Sequence, residues 1–318
     1  MHVIHAKSAQ DGLLQGVEYL HQQGSVFHTR NGDAFAAPGP VTTVFENPNN
    51  SIIWSPERDY NIAFTLFESL WMLEGRKDVL PLTRYVKRIY NYSDDGYTLH
   101  GSSYGHRWRK YFDKDRLDII IKRLKSNPSD RRAVLGMWDP RQDLQEHDKM
   151  KDLPCNLIIT FSVAIDGELD MTVFNRSNDI YWGTYFANAF HFGMLHHYIS
   201  DKTGYAMGRY YQVSNNYHLY KEFMDKVRAY IKLDDNLYQT DSSMDNVIPR
   251  LSDEDRKSIL RQADLETLYK GDIVSPYRQV LLSHEFYRKG QYANAFNVLQ
   301  NVKHQWVIAM TRWLKRRM

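Results

Sequence analysis

Two runs of β-branched and aromatic residues, joined by a tight turn, place the strongest constraint on how this chain can fold. The runs 156–165 and 169–174 flank Asp166-Gly167, a dipeptide typical of hairpin turns. We therefore predict a pair of strands that fold back on each other. Pro154-Cys155 precedes the first run and Asn175-Arg176-Ser177 follows the second. The hairpin would bring an arginine beside a cysteine thiol.

Cys155 is the only cysteine among the 318 residues, so it cannot form a disulfide within the chain. An isolated cysteine is often a small buried hydrophobe. This one lies between a proline and an apolar run, and Arg176-Ser177-x-Asp179 ends the next run. That pattern favours a catalytic nucleophile over a packing residue.

Composition excludes several classes of protein. The chain is 42% hydrophobic, enough for one large domain or two modest ones, and its 41 basic and 38 acidic residues leave a formal charge of only +3. That balance argues against a nucleic-acid partner, and no run is long enough for a membrane span. The N-terminus lacks the layout of a signal peptide. We expect a cytoplasmic protein with no metal site.

Periodicity and turn residues divide the rest of the chain. Residues up to about Pro56 read as strand and loop. We predict further strands at 41–45 and 133–138, helices at 61–73, 117–125 and 187–199, and an extended segment at 212–220. The chain beyond Lys221 reads as mainly helical. We predict a catalytic core over 1–220 and a helical extension over 221–318 that packs on it.

Six short motifs occur in an order similar to that of the thymidylate synthase family. They are Phe67-Glu68-Ser69-Leu70-Trp71-Met72-Leu73-Glu74-Gly75, a loop at Tyr104-Gly105-His106-Arg107-Trp108-Arg109, Pro128-Ser129-Asp130-Arg131-Arg132, Pro154-Cys155, Arg176-Ser177-x-Asp179 and His218-Leu219-Tyr220. The resemblance runs from about Arg30 to Tyr220. It implies an α+β fold: a large, mostly antiparallel sheet with helices on one face, whose other face pairs with its copy in a homodimer.

The resemblance also implies a reaction, the transfer of one carbon from 5,10-methylenetetrahydrofolate to carbon 5 of a pyrimidine nucleoside monophosphate. Addition of the Cys155 thiolate to carbon 6 would make carbon 5 nucleophilic. Arg176 would favour the thiolate and hold the phosphate. Glu68 would relay protons through water, unless it is an ordinary helix-surface glutamate. Tyr104 would lie near the proton that leaves carbon 5, although packing alone could explain a tyrosine.

The remaining site residues are also implied by the resemblance. Arg131 and Arg132 would reach the phosphate in the partner subunit, unless they are an ordinary surface pair. The family pattern Gly-x-Pro-Phe-Asn, with one inserted residue, selects Asn188 as the residue that reads the base, and an amide suits either uracil or cytosine. Further nucleotide contacts would come from Arg30, Ser177, His218 and Tyr220, and folate contacts from Asp179, Gly183 and Tyr90.

Departures from the family pattern cluster around the base and the folate. Asn156 stands where synthases have histidine, Asn175 replaces a glutamine and Asn216 an aspartate, and the chain end lacks a short apolar tail. A more polar site would let water, rather than hydride, quench the intermediate. We therefore predict hydroxymethylation of a deoxynucleotide, dCMP or dUMP, as the resemblance to the family's nucleotide hydroxymethylases implies. Such enzymes occur in bacteriophages, and a phage-encoded chain would act in the host cytoplasm. The alternatives are reductive methylation of dUMP and a non-catalytic nucleotide-binding or regulatory protein.

Overall fold

The computed structural model describes residues 1–29, 31–53, 58–144, 150–231, 248, 251–261 and 275–318. The strands are β1 (His2–Ala6), β2 (Ser25–Thr29), β3 (Gly32–Ala36), β4 (Val41–Phe45), β5 (Val134–Gly136), β6 (Asn156–Val163), β7 (Leu169–Asn175), β8 (Asn178–Asp179), β9 (Met207–Ser214) and β10 (Tyr217–Tyr220).

The helices are α1 (Ala9–Gln23), α2 (Ile62–Leu73), α3 (Leu80–Thr83), α4 (Tyr104–Arg109), α5 (Arg116–Ser126), α6 (Pro140–Asp143), α7 (Asn188–Thr203), α8 (Lys221–Ile231), α9 (Asp253–Arg261), α10 (Pro276–Arg288), α11 (Tyr292–Asn297) and α12 (Gln305–Lys315). A 3₁₀ helix spans Lys87–Tyr92 and a π-helix spans Ile180–Ala187. The predicted α+β class is confirmed.

Six strands form the main sheet, in the order β1-β4-β9-β7-β6-β5. The predicted hairpin is present, because β6 and β7 pair antiparallel. Gly167 in its turn has a φ of +85°, a conformation that favours glycine. The parallel strand β9 lies on the other side of β7. The register places Asn156, Asn175 and Ser214 opposite one another on adjacent strands. Residues paired in this way point to the same face of a sheet.

The two faces of the main sheet differ in burial. On one face, side chains such as Ile159 and Val173 are fully buried, and α7 packs against β9. The other face exposes apolar side chains, with Val134 45%, Ile158 40% and Phe174 39% exposed. Ile158 and Phe174 are paired across β6 and β7, and neighbouring exposed apolar side chains are typical of an interaction surface.

Helix α2 lies at the centre of the helical layer. Every residue of α2 except Glu68 is buried, because the helix is packed against α4, α7, α9, α10 and α12. Asn61 caps its start by accepting a hydrogen bond from Phe64 N at 3.1 Å. Each large apolar side chain buried here stabilises the fold by roughly 1.5–3 kcal/mol. The single carboxylate on this helix therefore stands out.

The prediction of strand and loop for the first 56 residues was wrong at 9–23, where the structure has helix α1. Ser8 caps α1 by accepting from Asp11 N at 3.1 Å, and the helix buries Ala9, Gly12, Leu13, Gly16, Val17 and Leu20. Glycine disfavours helices, which hid the pattern. Here it is needed for packing, since a Cβ at Gly16 would lie 2.0 Å from Tyr217 Oη. The helix supports a second sheet, in the order β2-β3-β10-β8.

The C-terminal helices pack on the body of the protein through aromatic rings. Tyr85 stacks between Phe67 of α2 and His284 of α10, with ring centroids 4.9 and 4.7 Å apart. Arg316 and Arg317 both form ion pairs with Asp59. The division into a 1–220 core and a 221–318 extension stays a prediction. Within the described ranges, no helix is both long and apolar enough to cross a bilayer.

Candidate active site

Cys155 and Arg176 lie side by side at one end of the β6–β7 hairpin. Cys155 immediately precedes β6 and Arg176 immediately follows β7. The Arg176 backbone N–H donates to Cys155 O at 2.9 Å. The side-chain Nε of Arg176 donates to Pro154 O, also at 2.9 Å. The guanidinium also lies 5.9 Å from the Trp138 ring. The hairpin end therefore holds a cation against the segment that carries the thiol.

Tyr104 contacts the same segment. Its hydroxyl accepts from the backbone N–H of Cys155 at 3.2 Å and of Asn156 at 3.4 Å. Burial, with the neighbouring Cys155, raises the pKa of Tyr104 well above its ordinary value, so the phenol stays protonated near neutral pH. Asp152 was not selected from the sequence. Its carboxylate accepts from Gly101 N at 2.9 Å and from the backbone N–H and the hydroxyl of Ser102. It thereby links the residues just before Tyr104 to those just before Cys155.

The Tyr104 motif is a short helix, α4, where a loop was predicted. Gly105 lets α4 lie directly on α2, because a Cβ at this position would be 1.7 Å from Met72 O. Any larger residue would push the two helices apart. This close packing fixes Tyr104 relative to α2, the helix that carries Glu68.

Glu68 contacts a histidine that the sequence analysis did not select. Nε2 of His191 on α7 lies 3.0 Å from Glu68 Oε2, and the two side chains are 4% and 13% exposed. The ring is not aligned for a hydrogen bond in this structure. The alternative of a solvent-exposed helix-surface glutamate does not fit this position.

A row of buried amides follows Cys155 and Arg176 across the main sheet. Within the described part of the chain, Oδ1 of Asn156, both polar side-chain atoms of Asn175 and both of Gln212 have no hydrogen-bond partner. A buried polar group without a partner costs about 1–3 kcal/mol. These atoms therefore suit a polar ligand or ordered water.

Asn188 belongs to a second amide group. Its Nδ2 donates to Asn178 Oδ1 at 3.1 Å, and Asn178 Nδ2 donates to Ser214 Oγ at 3.1 Å. Gly183 is required for this contact, because a Cβ there would lie 2.6 Å from Asn178 Oδ1. The donor contact leaves the Asn188 amide oxygen as an acceptor for a base.

Asp179 caps the π-helix and carries an unusual pKa. Its carboxylate accepts from Tyr181 N at 3.0 Å and Trp182 N at 3.3 Å. Burial raises the pKa of Asp179 to about 7, despite those hydrogen bonds. A carboxyl with this pKa can hold or release a proton near neutral pH. π-helical turns are frequent at functional sites.

Aromatic rings and cations surround the Asp179 segment. Arg58 lies 4.1 Å from the ring centroids of both Tyr181 and Phe186. Arg88, in the 3₁₀ helix, lies 4.2 Å from the Trp182 ring, so the predicted folate residue Tyr90 is on an element that borders this segment. The Tyr90 side chain is about half-exposed and lies against Gly96. A flat, polar ring system would suit these surroundings.

His218 and Tyr220 lie on β10, where the register pairs His218 with Asp179. The two rings are perpendicular, with centroids 5.3 Å apart, and burial lowers the pKa of His218. Tyr220 Oη accepts from Asn31 Nδ2 at 3.4 Å. Asn31 follows Arg30 in sequence, but Arg30 itself lies outside the described residues.

The other predicted phosphate ligands differ in position. Ser177 follows Arg176 directly and is partly buried. Arg131 and Arg132 are exposed, just before the edge strand β5. Arg132 forms a two-bond ion pair with Asp130, at 2.9 and 3.0 Å. The described contacts do not join either arginine to the Cys155 segment within one chain.

Comparison with known proteins places these residues in context. A family model described as "Thymidylate synthase" matches residues 17–243. A "Deoxyuridylate hydroxymethyltransferase" of Pseudomonas phage M6 is 49% identical over 227 residues, which are 71% of this chain and 64% of that protein. A protein of the same name from Bacillus phage SP01 is 35% identical over 60% of this chain and 54% of its own length.

A "Thymidylate synthase" of Corynebacterium aurimucosum is 31% identical over 51% of this chain and 60% of its own length. The chain therefore spans between about half and two thirds of the length of these three relatives.

Proposed function

The chain belongs to the thymidylate synthase family, and on that premise we propose that it transfers a hydroxymethyl group to carbon 5 of deoxyuridine monophosphate. In this reaction 5,10-methylenetetrahydrofolate supplies the carbon and water supplies the hydroxyl oxygen. Two phage relatives bear the name deoxyuridylate hydroxymethyltransferase. The phage relatives also lead us to propose the cytoplasm of an infected host cell as the compartment.

The covalent step falls to the residues at the hairpin end. The Cys155 thiolate adds to carbon 6 of the base, and carbon 5 then attacks the one-carbon unit. Arg176, fixed by Pro154 O at 2.9 Å, favours the thiolate and binds the phosphate together with Ser177. The Tyr104 hydroxyl, at the amide of Cys155, lies where it can relay the proton that leaves carbon 5.

The observation that carries the choice of water over hydride is the buried amide row. Asn156 and Asn175 flank the Cys155–Arg176 pair, and their unpartnered polar atoms stabilise water inside the site. Hydride transfer from the folate requires a site that excludes water. A site lined with such amides favours hydration of the intermediate.

The remaining contacts fit a deoxyuridine nucleotide and a folate. The Asn188 amide, with Nδ2 directed at Asn178 Oδ1, presents its oxygen to the N3–H of uracil. His218 and Tyr220 bind the sugar 3′-hydroxyl. Asp179, with Gly183 beside it, holds the pterin, whose ring N–H groups match a buried carboxyl, and Tyr90 borders that pocket. Arg30 would add a phosphate contact.

We expect the product to be 5-hydroxymethyl-dUMP, heavier than thymidylate by one oxygen, because water rather than hydride completes the reaction. Turnover in water enriched in heavy oxygen should place the label in the product, with no accumulation of dihydrofolate. Mass spectrometry of the nucleotide and absorbance of the folate measure both. dCMP, CMP and UMP should react more slowly than dUMP.

Three other results would each support a different function. A 5-methyl nucleotide with matching release of dihydrofolate would support reductive methylation, which the 31% identity to a thymidylate synthase favours. Faster reaction of dCMP would reassign the base. Nucleotide binding with no product of either mass would support a regulatory protein.

We also propose a homodimer formed through the exposed face of the main sheet. Ile158 and Phe174 give this face its apolar character, at 40% and 39% exposure, and a second copy would remove them from water. Arg131 and Arg132 would then reach the phosphate bound by the partner. Each site would be incomplete without the other subunit.

Ile158→Asp should convert the dimer to a monomer, because the interface would bury an unpaired carboxylate. Turnover should fall at least about tenfold, since the partner's arginines are lost, an effect of about 1.4 kcal/mol or more. Sedimentation and steady-state kinetics measure the two effects. Ile308→Asp is the matched control, because Ile308 on α12 is 38% exposed outside the sheet. A monomeric Ile158→Asp variant with full activity would contradict the shared site.

A further inference from the structure

The contact between Glu68 and His191 has no part in the roles assigned above. Glu68 is the one residue of α2 that is not buried, and it faces His191, whose side chain is only 4% exposed. The imidazole Nε2 lies 3.0 Å from Oε2, although it is not aligned for a hydrogen bond. A small rotation of the ring would complete one.

The position of His191 on α7 places this pair at the nucleotide pocket. His191 follows Asn188 by three residues, so the two side chains share one face of the helix. Asn188 in turn contacts Asn178 at 3.1 Å. The base-reading amide and the Glu68–His191 pair therefore lie on the same side of α7.

The amides and the phenol of the site can orient a water but cannot keep its proton. Asn156, Asn175 and Asn188 carry amides, which neither gain nor lose a proton in this pH range. Tyr104 stays protonated because burial raises its pKa well above the ordinary value.

Two other carboxyl groups, those of Asp152 and Asp179, already accept hydrogen bonds from backbone N–H groups. Asp152 accepts from Gly101 and Ser102, and Asp179 accepts from Tyr181 and Trp182. Of the three carboxyl groups, Glu68 is the one for which the described contacts include no backbone donor, and its neighbour is the imidazole of His191. Asp179 is also assigned to the pterin above. Glu68 is therefore the best placed base.

We propose that His191 is a positioning residue that holds Glu68 as the base for the water that adds to the substrate. This inference rests on the hydroxymethylation proposed above. The histidine donates its Nε2 hydrogen to Oε2 and so leaves Oε1 to accept a proton from water. The imidazole donor fixes the direction of the carboxylate.

The step balances without an oxidant or a reductant. Water gives one proton to Glu68, and its oxygen bonds to the exocyclic methylene carbon on C5. The electron pair of that double bond forms the C5–C6 double bond, and the C6–S bond breaks, returning the thiolate of Cys155. Over one turnover, the protons from C5 and from water replace the two carbon–nitrogen bonds that the folate loses.

His191→Ala should lower kcat about 100-fold, a typical contribution of a positioned base, with KM for dUMP changed less than about threefold. Steps before water addition should survive. Covalent adduct formation on Cys155 with 5-fluoro-dUMP and methylenetetrahydrofolate reports two of those steps, thiolate addition to C6 and bond formation between C5 and the one-carbon unit, because fluorine at C5 blocks the proton loss that follows. Intact-mass spectrometry should show this adduct at nearly the parent rate.

Two further measurements separate positioning from a structural role. His191→Gln keeps a nitrogen donor near the Nε2 position and should restore kcat to within about tenfold of the parent. Added 2-mercaptoethanol should capture more of the methylene intermediate in His191→Ala than in the parent, because a thiolate needs no base. His284→Ala removes a histidine that is likewise buried, at 4% exposure. It should change stability but not the ratio of thiol-captured to hydroxymethyl product.

The outcomes distinguish this inference from the proposed function. Formation of 5-methyl product by the parent would overturn the proposed function itself. With hydroxymethyl product from the parent, a His191→Ala variant at full kcat would show that the histidine is not needed. Loss of adduct formation in step with kcat would show a structural role. Either of these two results would overturn the inference alone.

Discussion

Replacing Cys155 with alanine should abolish turnover while leaving nucleotide binding nearly intact. The substitution removes the atom that adds to carbon 6, so carbon 5 never becomes nucleophilic. Loss of a nucleophile in other enzymes lowers kcat by up to about 10⁶-fold, and we expect at least about 10⁴-fold here. The dissociation constant for dUMP should change less than about fivefold, or 1 kcal/mol, because Arg176 and the amides remain.

The single cysteine makes this prediction easy to check. Because Cys155 is the only cysteine in the chain, any alkylation of a thiol reports on it alone. Bound dUMP should slow alkylation of the parent, and 5-fluoro-dUMP with folate should add mass to the parent but not to Cys155→Ala. Arg176→Lys is a useful companion, since it keeps the charge but loses the planar fork. Turnover of Cys155→Ala within about 100-fold of the parent would rule out a required covalent step.

The hairpin that carries this chemistry could be predicted because its signals are local. Strand periodicity and a turn dipeptide are both properties of neighbouring residues. They were sufficient to bring Arg176 back to Cys155, where the backbone N–H of Arg176 donates to Cys155 O. Helix 61–73 was predicted for the same reason, and the structure has α2 at Ile62–Leu73.

Contacts between distant segments could not be predicted in this way. Glu68 was selected as an exception on an apolar helix, but its neighbour His191 lies on α7, and no local pattern links the two. Asn156 and Asn175 were recognised as unusual residues. Their lack of partners became visible only when the register set them side by side.

The Tyr104 motif also concealed a structural ion pair. Arg107 and Asp143 are both fully buried, and the guanidinium donates to the carboxylate at 2.6 and 2.8 Å. Arg107 also donates to Met137 O at 2.6 Å. Charged residues are almost never fully buried without a partner, and here the partner is 36 residues away. The motif alone does not reveal whether its arginine binds a ligand or holds the fold.

Asp143→Asn should destabilise the protein by about 3–5 kcal/mol, because it leaves a buried guanidinium without a counter-charge. Arg107→Met should lower the free energy of unfolding by less than Asp143→Asn does. Arginine cannot shed its proton, whereas Asp143 can become neutral when its partner is lost. Arg141→Met is the matched control, because that side chain is 85% exposed and its removal should change stability by less than about 0.5 kcal/mol. Denaturant unfolding compares the three variants.

The loss of stability at acid pH provides a second test of the Arg107–Asp143 ion pair. Burial alone would raise the pKa of Asp143, but the hydrogen bonds from Arg107 and from the Asp139 backbone hold it below its ordinary value. A lowered carboxyl pKa contributes stability above the unfolded-state pKa, and this is lost as pH falls through the folded-state pKa. Because asparagine does not titrate, the free energy of unfolding of Asp143→Asn should fall less steeply than that of the parent as pH is lowered. If Arg107→Met were less stable than Asp143→Asn, an unpaired buried guanidinium would not destabilise the fold more than an unpaired buried carboxyl, and this prediction would be wrong.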